Sequence, residues 1–151
     1  RAAFWRLREE QPEGQRRLGA QLKHDLSVPS GQLAEFLDRA NDECGEVLKG
    51  VTINAFGHLG DGNVHYNLSP PLGQGDFSSL DNEFAIKLGR LATIMGGSFA
   101  AEHGLGRSKT ALADCLRDPV ERNFMERVKK ALDVEMQLNP GVLVFSKNAG
   151  E

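Results

Sequence analysis

The sequence predicts an α+β fold in which an antiparallel sheet is covered by helices. Apolar residues recur at intervals of three and four in several segments, which is typical of helices with one buried face. Between residues 51 and 68 they instead alternate with polar residues, and Gly60-Asp61-Gly62 interrupts the alternation, so a β-hairpin is predicted there. The 151 residues are about the length of one domain, and we expect 1–151 to fold as a single unit.

The elements before the hairpin are predicted to be a helix, a strand and a second helix. Residues 1–8 favour a helix, and Pro12 and Gly14 interrupt that pattern soon afterwards. Residues 22–28 favour a short strand. Ser30 is the expected N-cap of the next helix. The predicted core face of that helix comprises Leu33, Phe36, Leu37 and Ala40.

Two further helices follow the hairpin, and each is predicted to bury one face. The first ends at Gly96-Gly97 in the manner of a C-cap, and an extended segment, 98–101, comes next. Asp118 and Pro119 suit the N-cap and the first position of the last helix. The predicted core positions are Leu80, Phe84, Leu88, Leu91 and Met95 in the first of these helices and Phe124, Val128, Ala131, Leu132 and Leu138 in or just after the last.

Composition excludes some classes of protein. The chain is 40% hydrophobic and 26% charged, with a formal net charge of −3 and no run of like charges, so a broad nucleic-acid-binding face is not expected. No stretch approaches the roughly 20 apolar residues of a membrane span, and residues 1–8 do not resemble a secretory signal. We therefore expect a soluble, cytoplasmic protein. Cys44 and Cys115 form no C-x-x-C pair and are expected to be buried free thiols.

The hairpin is predicted to carry a metal-binding face. A turn centred between Asp61 and Gly62 places His58 opposite His65, with Cβ atoms about 5 Å apart, so that both imidazoles can bind one ion. The alternative is a solvated hairpin with two exposed histidines, and a three-residue turn would shift the register. This face also holds Asn54, Phe56, Asn67 and Ser69, and the predicted core face holds Val51, Ile53, Ala55, Val64, Tyr66 and Leu68.

A second segment supplies a carboxylate and an imidazole side by side. Glu102-His103 precedes the residues Gly104-Leu105-Gly106, where the chain can bend sharply enough for both side chains to reach one site. Glu102 would complete a three-ligand set with the hairpin histidines and leave open positions, as catalytic metal sites do. His103 would remain free as a general base. The alternative is a surface ion pair or cap. Arg107 and Lys109 are expected to face solvent or to close the loop rather than to bind substrate.

The segments 57–65, 97–106 and 138–141 resemble, in this order, the C-terminal domain of FAD-linked oxidases. This family contains D-lactate dehydrogenases, D-2-hydroxyglutarate dehydrogenases and the flavin subunit of glycolate oxidase. Residues 5–9 and 22–29 resemble it as well, so the resemblance spans nearly the whole chain. It implies a partial ferredoxin-like cap domain, the C-terminal substrate- and metal-binding part of a longer enzyme, without the N-terminal FAD-binding domain.

The resemblance implies a metal site and a base. His58, His65 and Glu102 match the ligands of a divalent metal, zinc or manganese, that holds the hydroxyl and the carboxylate of the substrate. His103 matches the base that takes the hydroxyl proton while hydride leaves C2 for N5 of the flavin. A metal lowers the pKa of a hydroxyl as a Lewis acid, which agrees with these roles.

The resemblance also implies substrate- and cofactor-binding residues. Arg8 and Lys23 match positions that bind substrate carboxylates, and Asn67 matches a residue near the substrate. Asn139 is placed to approach the flavin, or it only ends the last helix. Pro12 stands where relatives that take a second, distal carboxylate have a hydroxyl-bearing residue, which argues against hydroxyglutarate.

The expected function is FAD-dependent oxidation of a small D-2-hydroxy acid to a 2-oxo acid, with electrons passed to a protein or quinone acceptor. Residues 1–151 contain no G-x-G-x-x-G fingerprint, so this part alone is expected neither to bind FAD tightly nor to turn over. A metal-dependent hydrolase and a non-catalytic metal-binding module are the alternatives. A homodimer is among the assemblies that the sequence allows.

Overall fold

A three-stranded antiparallel sheet lies at the centre of the structure, a computed structural model that describes residues 1–17, 19–71 and 73–143. The middle strand is the third in sequence, and it is buried on both faces except at His65. The predicted α+β class, an antiparallel sheet covered by helices, is confirmed. In chain order the strands are β1 (Leu22–Ser27), β2 (Thr52–His58) and β3 (Asn63–Ser69).

Helices connect the strands and cover one face of the sheet. The helix α3 (Leu33–Val47) joins β1 to β2, and the helix α4 (Asp81–Ile94) follows β3. The two helices pack against each other, and α4 also contacts β1. Two short 3₁₀ turns, Ser30–Gln32 and Ser78–Leu80, precede α3 and α4. The helices of the described residues are α1 (Ala2–Glu9), α2 (Gln11–Arg16), α3 (Leu33–Val47), α4 (Asp81–Ile94), α5 (Thr110–Leu116) and α6 (Pro119–Leu132).

The strand order β1-β3-β2 makes β1 and β2 parallel to each other on either side of β3, which is the split βαβ arrangement of ferredoxin-like folds. At the free edge of β1, Ser27 and Ser98 exchange two backbone hydrogen bonds of 2.8 and 2.9 Å in an isolated antiparallel bridge. Within the predicted extended segment 98–101, the structure therefore shows this one bridge, at Ser98. The bridge brings the chain that follows α4 alongside β1.

The core lies between the sheet and the helices α3 and α4. Its largest fully buried side chains include Phe36 from α3, Tyr66 from β3 and Phe84 from α4, as predicted. Burial of each such side chain stabilises the fold by about 1.5–3 kcal/mol. Tyr66 also donates a hydrogen bond from its hydroxyl to Asn41 Oδ1 at 2.7 Å, so its polar end is satisfied.

The hairpin register differs from the prediction. His58 pairs with Asn63 and Phe56 with His65, because four residues, not two, separate β2 from β3. Gly62, at φ 72°, ends this loop and accepts a backbone hydrogen bond from Val28. The shift equals two residues, so each side chain keeps its predicted face, but the direct opposition of His58 and His65 is wrong.

Several local predictions are also wrong. Pro12 and Gly14 do not stop helix formation: the chain breaks at Glu10, and α2 accommodates Pro12 in its first turn, where a missing N–H costs little. Ser30 lies in a 3₁₀ turn and does not cap α3. Ala55 is exposed because β2 is an edge strand.

The predicted core stripe of α6 is exposed. Phe124 is 60% and Leu132 81% exposed, and Val128 and Leu138 are exposed as well. The helix begins as predicted, since the Asp118 side chain accepts a hydrogen bond from Val120 N–H. It is packed at the periphery beside the short helix α5 and not on the sheet, so its apolar face lines an open groove.

The two cysteines are free, as predicted, but only one is buried. Cys44 lies in the core, and burial raises the pKa of its thiol to about 11. Cys115 is exposed, which corrects its predicted burial. Helical periodicity alone did not distinguish the two environments.

Gly97 should be essential for the bridge between the chain after α4 and β1. A Cβ at this position would lie 1.8 Å from the carbonyl oxygen of Ser27. We expect Gly97→Ala to lower the free energy of unfolding in urea by about 1–3 kcal/mol, because the backbone must move to relieve the overlap. Gly75→Ala is the matched control, since a Cβ there would have no neighbour within 4 Å. Equal stabilities of the two variants would contradict this assignment.

Candidate active site

A cavity of about 540 Å³ lies between the polar face of the sheet, α2 and the loop after α4. Its volume is within the usual range for small-molecule sites. Of the predicted site residues, Lys23, His65, Asn67 and His103 line it. Side chains that the sequence analysis did not assign to a site, among them Gln15, His24, Asp25 and Lys109, also line it.

His65 projects from the central strand towards Glu102. Its Nε2 lies 3.2 Å from Glu102 Oε1, and its side chain is 23% exposed. Phe56, the cross-strand partner of His65, packs against the imidazole at 5.1 Å between ring centroids. The sheet therefore holds one predicted metal ligand in a fixed orientation, next to a carboxylate supplied by the loop.

His103 lies beside this pair at the mouth of the cavity. Its ring stacks on that of His65 at 6.1 Å between centroids, and its Nε2 is 3.8 Å from Glu102 Oε1. The His103 side chain is 65% exposed, so a substrate in the cavity can reach it. The neighbouring residues Glu102 and His103 thus point into one site, as predicted.

Asp25 is the principal residue that the sequence analysis missed. It lies on β1 directly opposite His65 and is only 7% exposed. Its Oδ2 accepts hydrogen bonds from the backbone N–H groups of Glu102 and His103 at 3.1 and 3.3 Å. Its Oδ1 is buried without a hydrogen-bond partner. Two signals in the sequence were available: the alternation of β1 put Asp25 on the same face as Lys23, and Asp25 lies in the segment 22–29 that resembles the family.

His58 is set apart from the other predicted ligands. Its Nε2 lies 3.4 Å from Arg8 Nη2, and its Nδ1 lies 3.9 Å from Asp61 Oδ2. Its ring centroid is 6.4 Å from that of His65. Within the described part of the chain, the group with metal-ligating atoms all within 4.8 Å of one another is Asp25, His65 and Glu102. The structure therefore brings two of the three predicted ligands together and places Asp25 beside them.

The candidate substrate-binding residues are divided between two regions. Lys23 and Asn67 are cross-strand partners and both line the cavity. Asn67 is buried, and its amide nitrogen donates a hydrogen bond to Gln15 Oε1 at 2.6 Å. Arg8 lies on the exposed helix α1, beside His58, and does not line the cavity. Asn139, at φ 46° in the exposed segment after α6, does not line it either.

Lys109 closes the loop that carries Glu102 and His103. Its Nζ donates a hydrogen bond to the carbonyl oxygen of Phe99 at 3.0 Å, which is one of the two predicted alternatives for this residue. Burial lowers the pKa of its ammonium group, and the nearby Asp25 partly opposes the shift. Lys109 also lines the cavity and adds a second cation to Lys23.

His24 is a buried histidine between the core and the cavity. It is 7% exposed, and its Nε2 has no hydrogen-bond partner; the nearest carboxylate oxygen is that of Asp81, at 3.9 Å. Burial lowers the pKa of His24 to about 4, against a smaller opposing effect of Asp81. The imidazole is therefore neutral at pH 7.

Comparison with known proteins identifies the family. Residues 1–143 match the family of FAD linked oxidases, C-terminal domain. The chain belongs to this family. The predicted resemblance is confirmed, and FAD is the cofactor that an FAD-linked oxidase domain implies.

The relatives of this FAD-linked oxidase domain include dehydrogenases of two kinds. A D-lactate dehydrogenase of Anaerostipes hadrus is 37% identical over 123 residues, which are 80% of this chain and 25% of that protein. A D-2-hydroxyglutarate dehydrogenase of Xanthomonas citri pv. viticola is 32% identical over 150 residues, 98% of this chain and 32% of that protein. A mitochondrial D-2-hydroxyglutarate dehydrogenase of Arabidopsis thaliana is 33% identical over 139 residues, 92% of this chain and 24% of that protein.

The chain thus spans about a quarter to a third of the length of these relatives. Within the described part of this domain, no helix has both the length and the apolar character needed to cross a membrane.

The buried His24 should make stability depend on pH. Between pH 6.5 and about 4 the unfolded chain binds a proton at His24 that the folded chain does not. The free energy of unfolding should therefore fall as the pH falls through this range, by up to about 3 kcal/mol from this residue. We expect urea denaturation of His24→Gln to show a correspondingly smaller fall.

The range above pH 8 is the internal control for this comparison, because His24 is almost entirely neutral there in both states. The two proteins should have parallel pH dependences in that range. An equally steep loss of stability in wild type and His24→Gln below pH 6.5 would contradict the burial of a neutral imidazole.

Proposed function

We propose that this chain is the substrate-facing part of an FAD-dependent dehydrogenase that oxidises a D-2-hydroxy acid to a 2-oxo acid. The observation that carries the proposal is the convergence of His65, Glu102 and His103 beside one cavity that Lys23 and Asn67 also line. This arrangement supplies a candidate metal-binding pair, a free imidazole and a cation within one site. Relatives named D-lactate and D-2-hydroxyglutarate dehydrogenase support the same class of substrate.

The residues present fit a divalent metal. An imidazole nitrogen of His65 and a carboxylate oxygen of Glu102 lie 3.2 Å apart, and this mixed nitrogen and oxygen donor set suits zinc or manganese. The buried Oδ1 of Asp25, which has no hydrogen-bond partner, adds negative charge next to them. We propose that His65 and Glu102 hold the ion and that His58 is the third ligand. For this, His58 must exchange its present contacts with Arg8 and Asp61.

The reaction requires removal of a proton and a hydride from the substrate. When bound, the metal supplies a Lewis acid for the substrate hydroxyl, and FAD supplies the acceptor for the hydride. We propose that His103 accepts the hydroxyl proton on Nε2 as hydride leaves C2. Its exposed ring, stacked on that of His65, places this nitrogen beside the metal-binding pair.

Cationic and amide side chains would bind the substrate carboxylate. Lys23 lies on the cavity wall next to Asn67, and Lys109 lies on the loop opposite. A charge-assisted hydrogen bond from either ammonium group would orient an anionic acid. Pro12 also lines the cavity and offers no hydroxyl to a second carboxylate, which supports a substrate with one carboxylate.

The remaining predictions concern the whole enzyme. Arg8 as a substrate ligand and Asn139 as a flavin contact are proposed from the family resemblance, since neither lines the cavity. A protein or quinone electron acceptor, a cytoplasmic location and a homodimer stay predictions. A metal-dependent hydrolase would use the same ligands to activate water, and it would show hydrolysis without flavin.

Metal titration tests the division of roles. Isothermal calorimetry of the 151-residue chain with zinc or manganese should show one site. His65→Ala and Glu102→Ala should abolish it, because each removes one of the two donors that already converge. His58→Ala should weaken binding.

His103→Ala is the matched control, since it removes a neighbouring imidazole that is not a proposed ligand and should retain binding. A wild-type chain that binds neither ion would contradict the metal site. Full retention of binding in Glu102→Ala would contradict the proposed ligand set.

The role of His103 is tested in the complete flavoprotein that contains this domain. His103→Asn should lower kcat for D-2-hydroxy acids by about 10²–10⁴-fold, the usual contribution of a general base. Metal content and the flavin spectrum should stay unchanged, because the substitution leaves the proposed ligands in place. A variant with wild-type kcat would contradict the assignment of the base.

A further inference from the structure

We propose that Asp25 is a positioning residue that sets the proton tautomers of both histidines of the site. Its two oxygens would accept the Nδ1–H groups of His65 and His103, one each. Both Nε2 atoms are then left unprotonated, that of His65 for a metal and that of His103 for a substrate proton. The consequences of this inference for metal binding and proton transfer rest on the proposed function. The position of Asp25 between the two imidazoles does not depend on that function.

The first observation is the position of Asp25 between two structural units. It stands on β1, opposite His65 on the central strand, and it is buried. Its Oδ2 accepts the backbone N–H groups of Glu102 and His103, so the same carboxylate anchors the loop to the sheet. Movement of Asp25 would therefore alter the distance between the His65 ring and the loop residues.

The second observation is the unpaired oxygen. Asp25 Oδ1 is buried and has no hydrogen-bond donor, which is unfavourable for a charged group. His65 Nδ1 lies 3.5 Å away and can supply that donor. The opposite nitrogen of this ring, Nε2, faces Glu102 Oε1 at 3.2 Å. A carboxylate on one ring nitrogen and a metal on the other is a recurrent arrangement of metal-binding histidines.

The third observation concerns His103. Its Nδ1 is 3.2 Å from Asp25 Oδ2, within hydrogen-bonding distance. A proton held on Nδ1 leaves the lone pair on Nε2, which is the nitrogen nearer to Glu102. Carboxylate groups fix the tautomer of catalytic histidines in the same way in hydrolase triads. Asp25 thus faces the Nδ1 atoms of both imidazoles.

A direct metal ligand is the competing role for Asp25, because its oxygen lies within 4.8 Å of the donor atoms of His65 and Glu102. The hydrogen bonds favour positioning. One oxygen is already committed to two backbone N–H groups, and the other lies on the Nδ1 side of His65, away from the nitrogen that faces Glu102. The two roles predict different losses of metal affinity.

The test combines imidazole NMR with zinc titration of the 151-residue chain. Long-range ¹H–¹⁵N spectra, recorded without metal at a pH where the rings are neutral, report which ring nitrogen carries the proton. In wild type, His65 and His103 should be Nδ1–H tautomers. This holds for His65 although its Nε2 faces Glu102 at 3.2 Å, because the Glu102 side chain is 41% exposed and can bind water, whereas Asp25 Oδ1 is buried without another donor. Asp25→Asn can still accept the two backbone hydrogen bonds, but its amide group can donate to Nδ1. We therefore expect the His65 ring, which faces the new amide group, to shift towards the Nε2–H tautomer and zinc affinity to fall about 10–100-fold. His103 should stay an Nδ1–H tautomer, because the oxygen that keeps the backbone hydrogen bonds is also the one that faces its Nδ1.

Two further variants keep the test decisive. Asp25→Glu retains the carboxylate and should return His65 to the Nδ1–H tautomer. Asp61→Asn is the matched control, because Asp61 also lies near a histidine nitrogen, 3.9 Å from His58 Nδ1, but outside the cavity. It should leave the His65 and His103 signals unchanged.

An unchanged His65 tautomer in Asp25→Asn would overturn the inference. If Asp25→Asn lost zinc binding as completely as His65→Ala and the His65 tautomer were unchanged, the inference would also be wrong, and Asp25 would be a direct metal ligand. A wild-type chain with the expected tautomers but no zinc binding would instead contradict the proposed function and leave the role of Asp25 standing.

Discussion

The carboxylate of Asp25 joins the two parts of the molecule that form the site. One part is the sheet, where β3 presents His65; the other is the loop after α4, which carries Glu102 and His103. The backbone bridge between Ser27 and Ser98 brings the loop to the edge of β1, and the side chain of Asp25 then fixes its direction. Without this link, no contact described above would direct Glu102 and His103 towards His65, which lies more than thirty residues earlier in the chain.

The sequence predicted the site face of the sheet because strand alternation has a period of two. A register error of two residues preserves that period. The predicted assignment of side chains to the two faces is therefore correct, although the predicted cross-strand partners are wrong. The error itself arose from the loop, whose four residues are stabilised by contacts that lie far apart in sequence, such as the hydrogen bond between Val28 and Gly62. Asp25 was missed for a similar reason, since its role depends on the pairing of β1 with β3.

Amphipathic periodicity identified the buried faces of α3 and α4 but not the environment of α6. Periodicity shows that a helix has an apolar face, and it does not specify which surface covers that face. Phe84 and Phe124 occupy similar positions in such patterns, yet the first is in the core and the second is exposed. His24, although it neighbours Asp25 in sequence, is buried: burial lowers the pKa of its imidazole, and its Nε2 lacks a hydrogen-bond partner.

The proposed chemistry requires that His65 and Glu102 bind one metal ion while His103 stays outside its coordination sphere. The most direct measurement is anomalous X-ray diffraction at the zinc absorption edge, from crystals of the chain grown with zinc. The account predicts one peak about 2.0–2.2 Å from His65 Nε2 and a Glu102 carboxylate oxygen, with His103 outside the coordination sphere. A peak bound by His103, or one at His58 that excludes Glu102, would contradict it.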